Sequence, residues 1–303
     1  MQLTFDNISR DPFQEAISPL REIAAYEALW NIYNINFKKI AELFAKNPGK
    51  RPSDLVDENQ IKEFTEKVIR LIDHDKTNIL INNTWDYPKK LRDAKEPVEI
   101  LYFKGDPSLI QTRSIAVVGT RKPTAEGIRR TQKLVRHLVD DGFTIVSGLA
   151  AGVDSVAHKT AIEQNGKTIA VIGTPLNACY PKENKDLQDK IAQHFLLISQ
   201  VPFHRYSQQG PHFNRLFFPE RNKTMSALTE GTIIVEASDT SGTLIQARAA
   251  MDQQRKLFIL DSCFKNPNLK WPQKFEAMGA IRVKEYEDIS KALINSDVPT
   301  IEN

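Results

Sequence analysis

Apolar positions change their spacing about a third of the way along the chain. From residue 13 to about 75 they recur at helical intervals. Ile23, Tyr26, Leu29, Ile32 and Ile40 follow that period within AISPLREIAAYEALWNIYNINFKKIAELFAK, and SDLVDENQIKEFTEKVIRLIDHD opens on a capping residue, Ser53 or Asp54, before an amphipathic helix. Asn78 to Leu101 forms a connector with ILIN, a Tyr87-Pro88 pair and the start of a further apolar run, VEILYFKG. From Ser114 the pattern alternates. The β-prone runs SIAVVG, FTIVSG, TIAVIG, FLLIS, TIIVEA, KLFIL and AIRV are separated by helical stretches such as TQKLVRHLVDD, VDSVAHKTAIEQ and TLIQARAAMDQQ. Strands apolar on both faces with helices between them predict a doubly wound α/β fold around a parallel sheet. The expected division is a helical N-terminal domain over 1–76 and an α/β domain over 77–303.

In such sheets ligands gather beyond the carboxyl ends of the strands. After the first parallel strand come Gly119, Thr120, Arg121 and Lys122, with Thr124 placed to cap the next helix. A glycine turn beside a helix N-terminus favours an anion, and the planar guanidinium of Arg121 suits a phosphate. After the second strand, Ser147-Gly148-Leu149-Ala150-Ala151-Gly152 is small-residue backbone that packs tightly or admits a ligand. Neither loop is the GxGxxG fingerprint, so no dinucleotide cofactor is expected. Asp154 and His158, four residues apart, read better as a helix cap and a core hydrogen bond than as an acid-base pair. Gly166-Lys167-Thr168 resembles the end of a phosphate-binding loop, but Ala161 replaces its first glycine and a strand follows. Glu236, Ser238, Ser241, Gly242 and Thr243 form a second anion cradle at a strand end.

Charge sharpens this picture. The 303-residue chain has a net charge of only +3, yet Gly119 to Arg136 holds six Lys or Arg against Glu126 alone. HFNRLFFPERNKT interleaves Phe213, Phe217 and Phe218 with Arg215, Arg221 and Lys223, the mixture that single-stranded nucleic-acid sites use to stack bases and hold phosphates. One or two of these phenylalanines are expected in the core. Cys179 and Cys263 form no short-spaced pair, which fits a reducing compartment, the cytoplasm, and no metal is expected. MQLTFDNISRDPF has no leader pattern, and no apolar run approaches a membrane span.

GTRKPTAEG, SGLAAGVDSVAH, TIAVIGTPLNACYPKEN, FFPERN, VEASDTSGTLIQA and EAMGA follow one another here as in the DNA-processing family DprA, also called Smf, which the chain resembles over about residues 77 to 283. The resemblance implies an extended Rossmann fold and a single-stranded DNA-binding protein without catalysis. It also implies a RecA-type recombinase as partner in natural transformation, and a homodimer. By the same resemblance Arg121 and Arg215 contact phosphate and Phe218 stacks on a base. Arg221 and Asn222 shape the pocket, Ser241, Gly242 and Thr243 supply further contacts, and Arg255 lies at the rim. The chain departs from the family pattern at DSCFKNPNLKW and at Gln200-Val201-Pro202, and the C-terminal winged helix of many members is expected to be absent.

Two alternatives stay open. A nucleotide-sensing domain of the same superfamily, in signalling or phage defence, needs only the cradle. A nucleotide hydrolase of the lysine-decarboxylase-like type uses a PGGxGTxxE loop. Aligned on Gly242-Thr243, this chain has Gln246 at the glutamate position, and an amide is no general base.

Overall fold

The computed structural model describes residues 17–32, 34–72 and 77–294. The leader reading of MQLTFDNISRDPF and the winged-helix expectation past residue 294 fall outside them. Three helices come first: α1 (Pro19–Trp30), α2 (Phe37–Ala45) and α3 (Glu58–Ile69). Pro19 occupies the first turn of α1, where its missing N–H costs nothing. Asn36 and Asp57 cap α2 and α3 by accepting backbone N–H groups. The expected cap at Ser53 or Asp54 is thus displaced to Asp57, because Pro52–Asp54 forms a separate 3-10 turn.

The rest of the chain runs β1 (Asn78–Ile81), α4 (Lys89–Arg92), β2 (Ile100–Gly105), β3 (Ser114–Val118), α5 (Ala125–Asp140), β4 (Thr144–Ser147), α6 (Val153–Glu163) and β5 (Thr168–Ile172). It continues through α7 (Lys185–His194), β6 (Leu196–Ser199), α8 (Phe203–Gln208), α9 (Pro211–Asn214), α10 (Phe217–Leu228), β7 (Gly231–Ile234), α11 (Thr243–Asp252) and β8 (Lys256–Leu260). The last elements are α12 (Asp261–Phe264), α13 (Trp271–Ala277), β9 (Ile281–Val283) and α14 (Glu287–Ile294).

One nine-stranded sheet has the order β1-β2-β6-β5-β4-β3-β7-β8-β9. Strands β3 to β9 are mutually parallel, as the seven apolar runs predicted. The connector contributes more than expected: its two short runs are β1 and β2, an antiparallel extension beside β6. The chain builds outward from β3 to β6, then returns to lay β7 against the other side of β3. The direction of winding therefore reverses between β3 and β7, and the crevice of a doubly wound sheet opens there.

Both faces of the sheet are covered. Ile115, Val117 and Ile145 face Leu134, Leu138 and Ala157 of α5 and α6, while Ala116, Val118 and Val146 face Met225, Leu228 and Ala247 of α10 and α11. On β2 the alternation is visible residue by residue. Leu101 and Phe103 join the cluster under α10, whereas Ile100 and Tyr102 join the one under the N-terminal helices. That second cluster also takes in Tyr26, Leu29, Trp30 and Phe37, with Trp30 and Phe37 edge-to-face at 4.7 Å. The N-terminal helices and the sheet thus share one hydrophobic cluster.

A buried carboxylate ties the two together. Glu27 on α1 accepts the backbone N–H groups of Phe203 (2.6 Å) and His204 (3.1 Å) at the start of α8. The Tyr102 hydroxyl donates to it from β2 at 3.3 Å. Burial raises the Glu27 pKa to about 7, against the downward pull of those hydrogen bonds. The folded chain therefore holds a proton on Glu27 that the unfolded chain has released, and stability falls as pH rises from about 4.5 to 7. A Glu27→Gln variant should lose that part of the pH dependence. Urea denaturation at pH 5 and pH 8 should show the wild-type difference shrinking by about 2–3 kcal/mol, and an unchanged difference would rule this out.

Candidate functional site

An open cleft of ≈ 520 Å³ lies at the carboxyl ends of β3 and β7. Its walls are the loop after β3, the start of α11 and the first turns of α10. Gly119, Thr120, Arg121 and Lys122 line it from the first, Ser241, Gly242 and Thr243 from the second, and Phe218, Arg221 and Asn222 from the third. Ten of the residues singled out in the sequence therefore meet in one place.

The loops are fixed by backbone bonds across the winding reversal. Thr120 N–H donates to the Glu236 carbonyl beyond β7 (2.7 Å), and Val153 N–H donates to the Thr120 carbonyl (3.2 Å). The Thr243 hydroxyl donates to the Gly119 carbonyl at 3.1 Å. Gly152 stands at the back of the loop with φ +81°, and a Cβ there would lie 2.4 Å from the Thr120 carbonyl oxygen. Only glycine fits both the angle and the approach.

Three helices start at these strand ends, and their N-termini are not equally available. That of α5 is already filled, because Glu236 accepts the Thr124 N–H (3.2 Å) and hydroxyl (2.9 Å) while Thr124 caps Gly127 N–H. That of α6 carries Asp154 in its first turn, and this carboxylate turns back onto the preceding loop, accepting Gly148 N–H (3.1 Å) and Ala150 N–H (3.4 Å). The anion expected on α5 beside Gly119 is therefore the protein's own carboxylate. The start of α11 carries no acidic residue in its first turn, and a Cβ on Gly242 would meet open space. Its positive end faces the cleft beside the exposed Arg121.

Arg221 has a different role from Arg121. It is 7% exposed, and its guanidinium donates to the carbonyls of Gly148 (2.5 Å) and Val171 (2.7 Å) and to Asn222 Oδ1 (2.9 Å). It braces the ends of β4 and β5 from inside the cleft wall. Burial raises the pKa of Asp154, and the charge of Arg221 is the first influence opposing it. His158 is fully buried, pairs through Nδ1 with the Thr168 hydroxyl at 2.7 Å and has its pKa lowered by burial to about 3. His158 thus makes the core hydrogen bond the plainer reading gave it, whereas Asp154, instead of capping α6, accepts the N–H groups of the loop before it. Gln246 is buried, with its amide donating to the Thr232 hydroxyl at 3.2 Å.

The aromatic run divides three ways. Phe217 is buried against Trp30 and Phe37, with ring centroids at 6.3 and 6.1 Å. Phe213 is 58% exposed on the surface. Phe218 lines the cleft and lies flat over Gly173, where a Cβ would sit 2.6 Å from its ring. Beside it stands Tyr180, 52% exposed, edge-on at 5.6 Å. Together with Gly148, Arg121 and Arg221 these two rings line a side recess. Tyr180 was missed in the sequence, although it follows the end of β5 and the strand-end rule points there.

Two assigned residues lie apart from the cleft. Arg215 is exposed in the turn before α10 and is not among the residues lining the cleft. Arg255 does not reach the rim. It precedes β8, at the amino end of the sheet, and donates to the Ala227 carbonyl at 3.2 Å. Of the departures from the family pattern, Gln200 is buried and accepts the Thr224 hydroxyl of α10. The DSCFKNPNLKW segment packs on the end of β7, with Trp271 Nε1 donating to the Ala237 carbonyl at 3.1 Å. Among the described residues no helix is long and apolar enough to cross a membrane.

Removing the brace should unfold the site before it affects any ligand. Arg221→Ala leaves two buried carbonyls and the Asp154 carboxylate without their cation, a loss of about 3–5 kcal/mol of stability. Urea denaturation measures it, and a loss below about 1 kcal/mol would show that the brace is dispensable.

The family model described as DNA recombination-mediator protein A matches residues 78–294. The chain is 34% identical over 244 residues to DNA processing protein DprA of Bacillus subtilis, covering 79% of this chain and 80% of that one. It is 34% identical to Protein Smf of Synechocystis, of which it spans 55%. Among solved structures it is similar to DprA of Streptococcus pneumoniae, with TM-score 0.65, 27% identity and coverage of 91% and 93%. It is also similar to DNA processing protein A of Helicobacter pylori, described for its single-stranded DNA binding mode, with TM-score 0.61, 29% identity and coverage of 73% and 96%. With the matched region spanning the whole sheet and every wall of the cleft, the chain belongs to the DNA recombination-mediator protein A family, the DprA/Smf proteins.

Proposed function

We propose that the cleft holds single-stranded DNA without strong sequence preference and does not cut it. The carrying observation is that one cleft combines the exposed Arg121, the start of α11 with no acidic residue in its first turn, and the flat face of Phe218. A phosphate sits between Arg121 and the Ser241-Gly242-Thr243 backbone, and the adjacent base lies on Phe218. Recognition by charge and stacking is tolerant of sequence, since every base has a π-face. The amide of Gln246, turned into the sheet toward Thr232, supplies no general base at the position where related hydrolases carry a glutamate. The relative from Helicobacter pylori, named for single-stranded DNA binding, supports the same assignment.

In this reading the strand is handed to a RecA-type recombinase, and a family described as recombination mediators is in keeping with that. The protein works as a cytoplasmic homodimer during recombination of incoming DNA, with Arg215 as a phosphate contact outside the cleft.

The test is fluorescence anisotropy of labelled poly-dT, with duplex and free nucleotides as competitors. Tight binding that both competitors displace poorly is expected. Stabilisation of the fold by a mononucleotide, with no strand binding, would replace this reading by a nucleotide sensor. Phe218→Ala should cost about 1–3 kcal/mol of binding. Arg121→Ala should weaken binding and lower the slope of log affinity against log salt by about 0.7. Wild-type affinity in both variants would remove the assignment.

A further inference from the structure

The cleft does not end at Lys122. Thr120, Lys122 and Ser238 also line a second concavity that reaches Glu236 and Cys263. Arg130 and Ser262 are shared in turn between that concavity and a groove of ≈ 320 Å³ that runs between α5 and the segments following β8 and β9. The three hollows form one trough. Its outer groove carries Arg130, Lys133, Lys265 and Lys284. Lys133 and Lys284 are exposed.

The acids along the trough are mostly paired, and two of the pairs take up Arg130 and Lys265, so the groove's free positive charge rests on Lys133 and Lys284. Glu236 accepts from Thr124 at the α5 N-terminus. Asp261 is held by Arg282 (2.5 Å) and Lys265 (2.6 Å), and Glu126, at the edge, pairs with Arg129 (2.5 Å) and Arg130 (3.5 Å). Glu285 alone adds an unspent charge to the groove lining. At its side the His137 ring stacks on Tyr286 with centroids 4.9 Å apart and 28° between planes. Arg130, Lys133 and His137 follow one another at helical spacing on a single face of α5. From Thr124 to His137 that face extends about 20 Å, enough for several nucleotides.

We infer that this trough is a second, phosphate-directed segment of the strand-binding surface. One chain holds a single strand continuously, from Phe218 across Lys122 to the groove beside α5. The inference rests on the strand-binding reading of the cleft and extends it. In the inner segment a base is stacked and a phosphate clamped; in the outer segment cations track the backbone, with the His137–Tyr286 pair as an aromatic side wall.

The test compares a short poly-dT of about 5 nucleotides with a long one of about 20, bracketing the usual site sizes. It uses the wild type, a Lys133→Glu/Lys284→Glu double variant and the matching Lys→Arg double variant. In the charge-reversed protein the short strand should bind as in the wild type. The long strand should bind more weakly, with a salt slope smaller by about 1.4, two phosphate contacts' worth. The Lys→Arg protein should keep wild-type behaviour with both. Unchanged long-strand binding in the charge-reversed protein overturns the trough and leaves the cleft standing. A wild type that binds neither length overturns the cleft reading, and the trough with it.

Discussion

Two carboxylates set the charge at the carboxyl ends of this sheet. A doubly wound fold brings several helix N-termini to the carboxyl ends of its strands, and each is a ready anion site. Here Glu236 closes the start of α5, and Asp154, in the first turn of α6, places its negative charge there while accepting N–H groups of the loop before the helix. What remains positive is displaced to one side of the winding reversal, at α11 and Arg121. The buried Arg221 then brings the ends of β4 and β5 together, setting the wall against which Phe218 lies.

The parallel core was legible because β3 to β9 are apolar on both faces, so each appears as an uninterrupted run. The two antiparallel strands were not, since their short apolar runs lie in a connector with no hairpin signal and no helix between them of the βαβ kind. The cleft-lining residues were also legible, because glycine, hydroxyl and Arg121 positions follow strands. Arg255 fails by the same rule, as it precedes a strand. What the sequence could not reveal is which cations are already spent. Arg221 and Arg121 look alike along the chain, but the carbonyls that claim Arg221 lie 73 and 50 residues away. The carboxylate that closes α5 lies 112 residues from Thr124. Partnership at such distances depends on topology, which composition and spacing do not encode.

The helices at the amino-terminal end are bound to the sheet by more than contact area. Glu27 supplies acceptors to the start of α8, where a short helix would otherwise leave N–H groups buried and unpaired. Its partners connect α1, β2 and the segment leading to α10. The order of that segment, which carries Arg215 and the aromatic run, therefore depends on a group far from the cleft.

Phe217 and Phe218 are neighbours in sequence but belong to different neighbourhoods, one packed among the rings of Trp30 and Phe37 and the other facing the cleft. A single peptide unit joins them, so their orientations are geometrically coupled. Over generations this couples two surfaces that would otherwise diversify separately. A substitution that reshapes the pocket around Phe217 is therefore expected to shift the ring at Phe218. The amino-terminal helices thus have one patch whose shape is transmitted to the cleft.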